Sequence, residues 1–382
     1  MLKLEGNTNL KNKTPVQNKR DSNIELLRVI CMLGLVAHHI SIHGGTIFFD
    51  GVGINKWISL FVLSFGKIAF SCFVAMSTWY LVKSNFKASR FIKVWLEVLF
   101  YNLLMFYATW SIPTGYNEGV GERMLIGSLL PITGNSHGYA SAYLLYYLIL
   151  PVLKIVSDNI NKRQNIFIIA FLAFTQVASP VIAFVTRYTQ NTQAEFLLFI
   201  LFFFISRYLR YYPIKLQSNN KMLLVALISI FAVIWGLRII NAYFPEKSIL
   251  EFIIFAFSND EFSIGFILSG YILFLLFYNM RIPYNRYINM LATTTLGVLL
   301  IHDSNLFRKT LWLEIIKVPA WSDYSPLRFT FYLVFYTVAV FAVCVLIDLL
   351  RQLIEKPVLN SKPCKYIAER LDSVFVEKTG DR

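Results

Sequence analysis

An all-α, polytopic integral membrane bundle of about ten transmembrane helices, with both termini cytosolic, is the fold class that three features of the 382-residue sequence predict. The first is composition. Hydrophobic residues make up 56% of the chain and charged residues only 15%, against roughly 25% charged in an ordinary globular domain, so the chain cannot clothe a water-facing surface. The second is run length. A hydrocarbon core about 30 Å thick needs about 20 mostly apolar residues at about 1.5 Å per residue, and runs of that length recur along the sequence. The third is the placement of charge. Lys+Arg 36 against Asp+Glu 22 leaves a net +14. The basic residues fall in short clusters between apolar runs, which is a mark of membrane topology and not of a nucleic-acid-binding face.

Taken in order, the spans are expected near 24–43, 57–82, 91–111, 139–157, 165–185, 194–212, 222–241, 252–278, 288–306 and 327–350. The eighth run carries Ser258, Asn259, Asp260 and Glu261 within apolar sequence, so it is either broken or begins near Phe262. Connections after even-numbered spans hold the basic clusters: Lys83, Lys87, Arg90 and Lys93; Lys162 and Arg163; Arg281 and Arg286. The positive-inside rule then places these connections and both tails in the cytosol. The opposite connections are mixed in charge, with Asp50, Glu118, Glu122, Glu246 and Asp323, and the longest, 112–138, is read as holding a short helix or re-entrant piece.

The expected organisation is a cytosolic tail over 1–22, one transmembrane domain over 23–351 and a second cytosolic tail over 352–382. The first 20 or so residues are polar, and no apolar core followed by a small-residue cleavage site marks a secretory signal. Cys31, Cys72, Cys344 and Cys364 are scattered, with no C-x-x-C pair and no histidine near them at zinc spacing, and no metal is expected.

Ionisable residues inside spans are costly and tend to face a bundle interior or an aqueous cavity. The first span is the most informative. Arg28 and His39 are eleven residues apart, close to three full turns at about 100° per residue, so they share one helix face with about 16 Å between them along the axis. Glu25, three residues before Arg28, can pair with it. A cation at the cytosolic edge and a histidine deep in the outer half describe a polar channel bridging much of the bilayer. The plain alternative is a snorkelling arginine and an interfacial histidine.

The segment from Glu25 to His39 resembles the opening motif of the membrane-bound acyltransferase 3 family, with its acidic neighbour, Leu-Arg pair and histidine eleven residues after the arginine. His38 is an adjacent alternative that the spacing disfavours. Further resemblances follow in the family's order over almost the whole chain. The closing stretch of the second span, Ala69 to Trp79, is similar to the Phe-rich stretch ending in Ser-Gly-aromatic, with Ser77 kept and Thr78 in place of Gly. Ser89 to Trp95 resembles an Arg-x-x-Arg element, with Arg90 kept and Lys93 in place of the second Arg, which retains charge but loses the bidentate fork. His137 to Tyr143, leading to Pro151, resembles the aromatic, Ser-Ala-Tyr and closing-Pro pattern. Thr293 to Asp303 resembles the late Leu-Gly-x-Tyr-Leu-x-His signature, with Leu299 for Tyr and His302 kept. Asp348-Leu349-Leu350-Arg351 looks like the closing Asp-x-x-Arg, an intrahelical structural pair.

What this resemblance implies is a membrane acyltransferase that moves an acyl group, acetyl foremost, from cytosolic acetyl-CoA to a hydroxyl of a carbohydrate at or bound for the cell surface, in a bacterial cytoplasmic membrane. The implied catalytic residues are His39, Arg28 and Glu25. The implied donor-binding residues are Arg28, Arg90, Lys93 and Ser77, and those for the acceptor are Tyr143, His302 and Asp303. The expected partners are acyl-CoA, a carbohydrate acceptor and the bilayer, with no nucleic acid. His39 acts either as general base or as covalent carrier. No Walker loop, GxSxG elbow, HExxH motif or dinucleotide fingerprint is present. The H-x4-D pair of soluble acyltransferases is also missing, since no carboxylate follows His39 at that spacing. The rival readings are a glycan or lipid-linked sugar exporter with Arg28 and His39 lining its path, and a glycan-modifying enzyme using a lipid-linked donor and the outer residues Glu118, Glu122 and Arg123.

Overall fold

The computed structural model describes residues 22–112, 121–134, 137–186, 194–244, 253–254, 257–258 and 262–375. Glu118, Glu246, Asn259, Asp260 and Glu261 lie outside the described residues. The described residues form helices joined by short connections, with no strand among them. The elements are α1 (Ser22–His43), α2 (Ile54–Leu81), α3 (Ala88–Ser111), α4 (Glu122–Ser128), α5 (Gly138–Leu148), α6 (Leu150–Asn159), α7 (Lys162–Thr186) and α8 (Ala194–Tyr211). They continue as α9 (Asn220–Tyr243), α10 (Ile264–Asn279), α11 (Arg286–Thr293), α12 (Thr295–His302), α13 (Pro326–Asn360) and α14 (Lys362–Phe375).

Five of these helices, α1, α2, α3, α9 and α13, are long and apolar enough to cross a membrane. The count rises to six if the bent pair α5 and α6 is one span. Helices also occupy the remaining expected runs, but several are short or broken, each for a local reason. α5 and α6 meet at 56°, where Pro151 lacks an N–H and its ring crowds the preceding turn. The ninth run divides at Thr294 because three consecutive threonines turn their hydroxyls onto backbone carbonyls one turn back: Thr293 on Met290, Thr294 on Leu291 and Thr295 on Ala292, at 2.8, 2.8 and 3.0 Å. The eighth run is helical from Ile264 over 16 residues, and residues 253–254 and 257–258 ahead of it are helical as well.

α1 is the central element. It packs along α2 and also meets α10, α11, α12 and α13, while α2 reaches α8, α9 and α10. The start of α1 is pinned by polar side chains. Asn23 donates to the carbonyls of Phe277 and Met280 at 2.9 and 3.0 Å, satisfying the end of α10. Ser22 donates to Asn289 and accepts from the Asn285 N–H. Close approach of α1 to α2 requires Gly66, where an added Cβ would fall 2.2 Å from the Cβ of His38. Elsewhere α3 and α13 are tied by buried charge. Arg351 reaches Asp348 at 2.8 Å, Glu355 at 2.6 Å and Glu97 at 3.2 Å, and the Tyr101 hydroxyl donates to Asp348 at 2.7 Å. The expected Asp348–Arg351 pair is therefore present, and it extends across two helices. α13 runs on past Arg351 to Asn360, and α14 folds back on α3, its Asp372 accepting from the Ala88 N–H at 2.7 Å.

Candidate functional site

Three adjoining cavities follow α1 from its first turn to its last. At the first turn lies a vestibule of about 810 Å³, walled by Asn23, Glu25, Arg28, Ser77, Arg90 and Tyr143 among others. It shares Arg28, Met76, Ser77 and Tyr143 with a narrower, mainly apolar neck of about 180 Å³, to which Met32, Phe73, Leu296 and Leu299 also contribute. The neck in turn shares Leu35, Phe70 and Tyr139 with a polar chamber of about 350 Å³. The chamber gathers His39, His43, Lys67, His137, Asp303 and Arg308. The helical face that carries both Arg28 and His39 thus runs beside a succession of spaces, wide and polar at each end and apolar between.

Arg28 stands where vestibule meets neck, with its guanidinium 3.6 Å from the Glu25 carboxylate. Arg90 is exposed at the vestibule wall, 5.9 Å from the centre of the Tyr147 ring. Lys93 is exposed on α3 and lines none of these three spaces. Tyr143 borders both vestibule and neck. Thr78 turns away from the cavities and bonds Ser206 at 3.1 Å, which in turn bonds the Tyr271 hydroxyl at 2.7 Å. Its extra bulk is absorbed between α2, α8 and α10.

At the other end, His39 meets residues far away in sequence. Its Nδ1 lies 2.9 Å from Nε2 of His302, and the His302 Nδ1 lies 2.5 Å from the Val298 carbonyl. A carbonyl only accepts, so His302 Nδ1 carries the proton and, in the neutral ring, its Nε2 is an acceptor. His39 Nδ1 must then donate to it, which leaves the lone pair of His39 on Nε2. That nitrogen faces the chamber, 3.7 Å from Oδ2 of Asp303. The other Asp303 oxygen lies 3.2 Å from Nε2 of His43 and 3.5 Å from the Arg308 guanidinium. His38 also borders the chamber, but its Nδ1 is committed to the Leu63 carbonyl at 2.9 Å. His302 is fully buried and lines none of the three cavities, whereas Asp303 reaches the chamber. His137, just ahead of α5, is pushed down to about 4 by its burial and stays neutral in the chamber wall.

The structure brings Glu25, Arg28, Ser77, Arg90 and Tyr143 to one end of this passage and His39, His302 and Asp303 to the other. Sequence reasoning passed over His43, Lys67, His137 and Arg308 as site residues. The i, i+4 spacing of His39 and His43 was the one local signal available.

A family model for an acyltransferase domain, that of the acyltransferase 3 family, matches residues 21–349. The chain belongs to that family. Neither a curated protein nor a solved structure matches it. The matched range begins one residue before α1 and ends within α13, so all three cavities of this membrane acyltransferase lie inside it.

Proposed function

We propose that this acyltransferase moves an acyl group, acetyl foremost, from cytosolic acyl-CoA to a hydroxyl of a cell-surface or exported carbohydrate, working in the bacterial cell membrane. The observation that carries the reading is the passage itself, with an arginine at one constriction and a histidine bearing a free lone pair at the far end. Helices at the ten expected runs and the basic connections between them support a ten-span bundle with both tails in the cytosol, which puts the vestibule on the cytosolic side.

In this reading the anionic end of the donor rests in the vestibule against Arg28 and Arg90, with Lys93 adding positive charge from α3 outside that space and Ser77 at the entrance to the neck. The pantetheine arm threads the apolar neck and delivers the thioester to the chamber. An acceptor hydroxyl, a poor nucleophile while protonated, gives its proton to His39 Nε2 as its oxygen attacks the thioester carbonyl. The C–S bond then breaks as the tetrahedral intermediate collapses, and the His39 proton passes to the leaving thiolate, giving ester and free thiol. Asp303 faces the nitrogen that becomes charged and stabilises the imidazolium. His302 is a positioning residue that holds His39 in the productive tautomer. Glu25 orients Arg28.

The test uses inside-out membrane vesicles holding equal amounts of wild type or His39→Ala, supplied with labelled acetyl-CoA. Wild type is expected to place label in base-labile esters on glycan, and the variant to lose about 10²-fold or more of that rate, the usual share of a general base. Equal labelling by both removes His39 from the chemistry. Glycan movement without consumption of acetyl-CoA supports the exporter reading instead.

A further inference from the structure

The chamber holds more electron-pair donors than the proposed reaction uses. His39 and His43 are four residues apart on α1, so both rings rise from the same face. One ring nitrogen of each histidine and a carboxylate oxygen of Asp303 all lie within 4.8 Å of one another. His43 Nε2 stands 3.2 Å from one Asp303 oxygen and His39 Nε2 stands 3.7 Å from the other. Ligands about 2.1 Å from a tetrahedral ion stand about 3.4 Å apart. The trio is therefore within side-chain rotation of a coordinating arrangement.

The hydrogen-bond chain adds an independent reason. Because His39 Nδ1 donates to His302, a neutral His39 turns a lone pair toward a carboxylate oxygen. Two electron-rich atoms facing each other call for a positive species between them, either a proton or a metal ion. The same chain is the outer-sphere support that metal-binding histidines ordinarily have, with the far ring nitrogen held as a donor by a fixed partner. The remaining coordination positions open onto the chamber, where water can fill them.

We propose that His39, His43 and Asp303 form a binding site for a divalent transition-metal ion, zinc foremost, and that occupation of this site switches off acyl transfer. The inference rests on the proposed reading of His39, because an ion on Nε2 takes up the lone pair that removes the acceptor's proton. Imidazole nitrogens and one carboxylate suit zinc, and copper more strongly still. Magnesium and calcium prefer oxygen ligands and have too few here. The Arg308 guanidinium lies 3.5 Å from Asp303 and its side chain is 32% exposed, so it swings off Asp303 as the ion enters. Lys67, Glu195, His38, His137, Tyr139, Asn305 and His302 are the further polar and charged groups around it.

The experiment takes the full chain, purified in detergent, stripped of metal and incubated with zinc chloride. Bound zinc is counted after desalting, and cobalt(II) is substituted for zinc to read the visible absorption of a four-coordinate site. One zinc per chain and a four-coordinate cobalt spectrum are expected. Transfer should fall about tenfold or more at saturation, return with chelator, and ignore magnesium. His43→Ala and His43→Gln are each compared with themselves, with and without zinc, and both should bind the ion about tenfold or more weakly. Zinc uptake equal to that of a His39→Ala/His43→Ala double variant overturns the site, as does unchanged zinc sensitivity in folded His43 variants. Counting and cobalt spectra need no acyl donor. Zinc binding by a chain that transfers nothing even when stripped of metal supports the site and overturns the activity; transfer by a chain that takes up no zinc does the reverse.

Discussion

His39 uses its two ring nitrogens differently: Nδ1 is committed to His302, and Nε2 is left open to the chamber. The consequence is specific to His302, which touches no part of the passage. Replacing it with Leu removes the acceptor that fixes the His39 tautomer, and kcat should fall about 10²-fold, with KM for the donor nearly unchanged. His302→Gln, whose side-chain oxygen can still accept from His39 Nδ1, should recover much of the loss. Steady-state kinetics of both variants checks this, and a donor KM that rises in step with the loss of kcat would place His302 in substrate binding instead. The pairing of Arg28 with His39 was legible in the sequence because one helix and one spacing relate them. The meeting of His39 with His302 and Asp303 was not, since 263 residues separate the two histidines and only packing joins them. The same holds for the carboxylate missing from an H-x4-D pattern after His39. Asp303 supplies one from the end of α12, beyond the reach of any local motif.

Helices were legible where a long apolar run carries only scattered hydroxyls, as in α1, α2, α9 and α13; single Ser and Thr side chains bonded one turn back leave α2 unbroken. Where a proline or consecutive backbone-bonded threonines fall inside the run, the element departs from the expected single span. Pro151 bends α5 against α6, and the Thr293–Thr295 hydroxyls divide α11 from α12. The second break matters for function, because it sets the short helix α12 against both α1 and α3 and so carries His302 and Asp303 to His39. The opposing contact is made by α2, which approaches α1 closely at Gly66. An added methyl there would lie 2.2 Å from the Cβ and 2.5 Å from the Cγ of His38, and the helices must separate to admit it. Gly66→Ala should therefore destabilise the bundle by about 1–3 kcal/mol and lower transfer more than binding of the donor, since the shift falls at the chamber end. Thermal unfolding in detergent and donor titration measure the two effects; unchanged unfolding and transfer would mean that α1 and α2 pack more loosely than described.

Across the whole molecule, large apolar side chains face outward along the long helices, among them Leu327, Phe331, Val334, Val338, Leu346 and Leu350 on α13, each more than half exposed. A contiguous surface of that kind is stable only against hydrocarbon. The composition foretold this surface, but not which mouth of the passage opens to which side, because that depends on how the helix ends assemble. α14 supplies a reporter. Its Asp372 caps the start of α3 beside Arg90, so α14 and the vestibule share one end of the bundle. Cys364 on α14 is partly exposed, whereas Cys31, Cys72 and Cys344 are buried. The wild-type chain therefore carries its own topology label. If the donor enters from the cytosol, a membrane-impermeant maleimide should modify Cys364 in inside-out vesicles and leave it untouched in intact cells. Asp50→Cys, exposed beyond the opposite end of α1, should give the reverse. Labelling of Cys364 in intact cells would turn the vestibule outward, away from the cytosolic pool of acyl-CoA, and the proposed direction of transfer would fall with it.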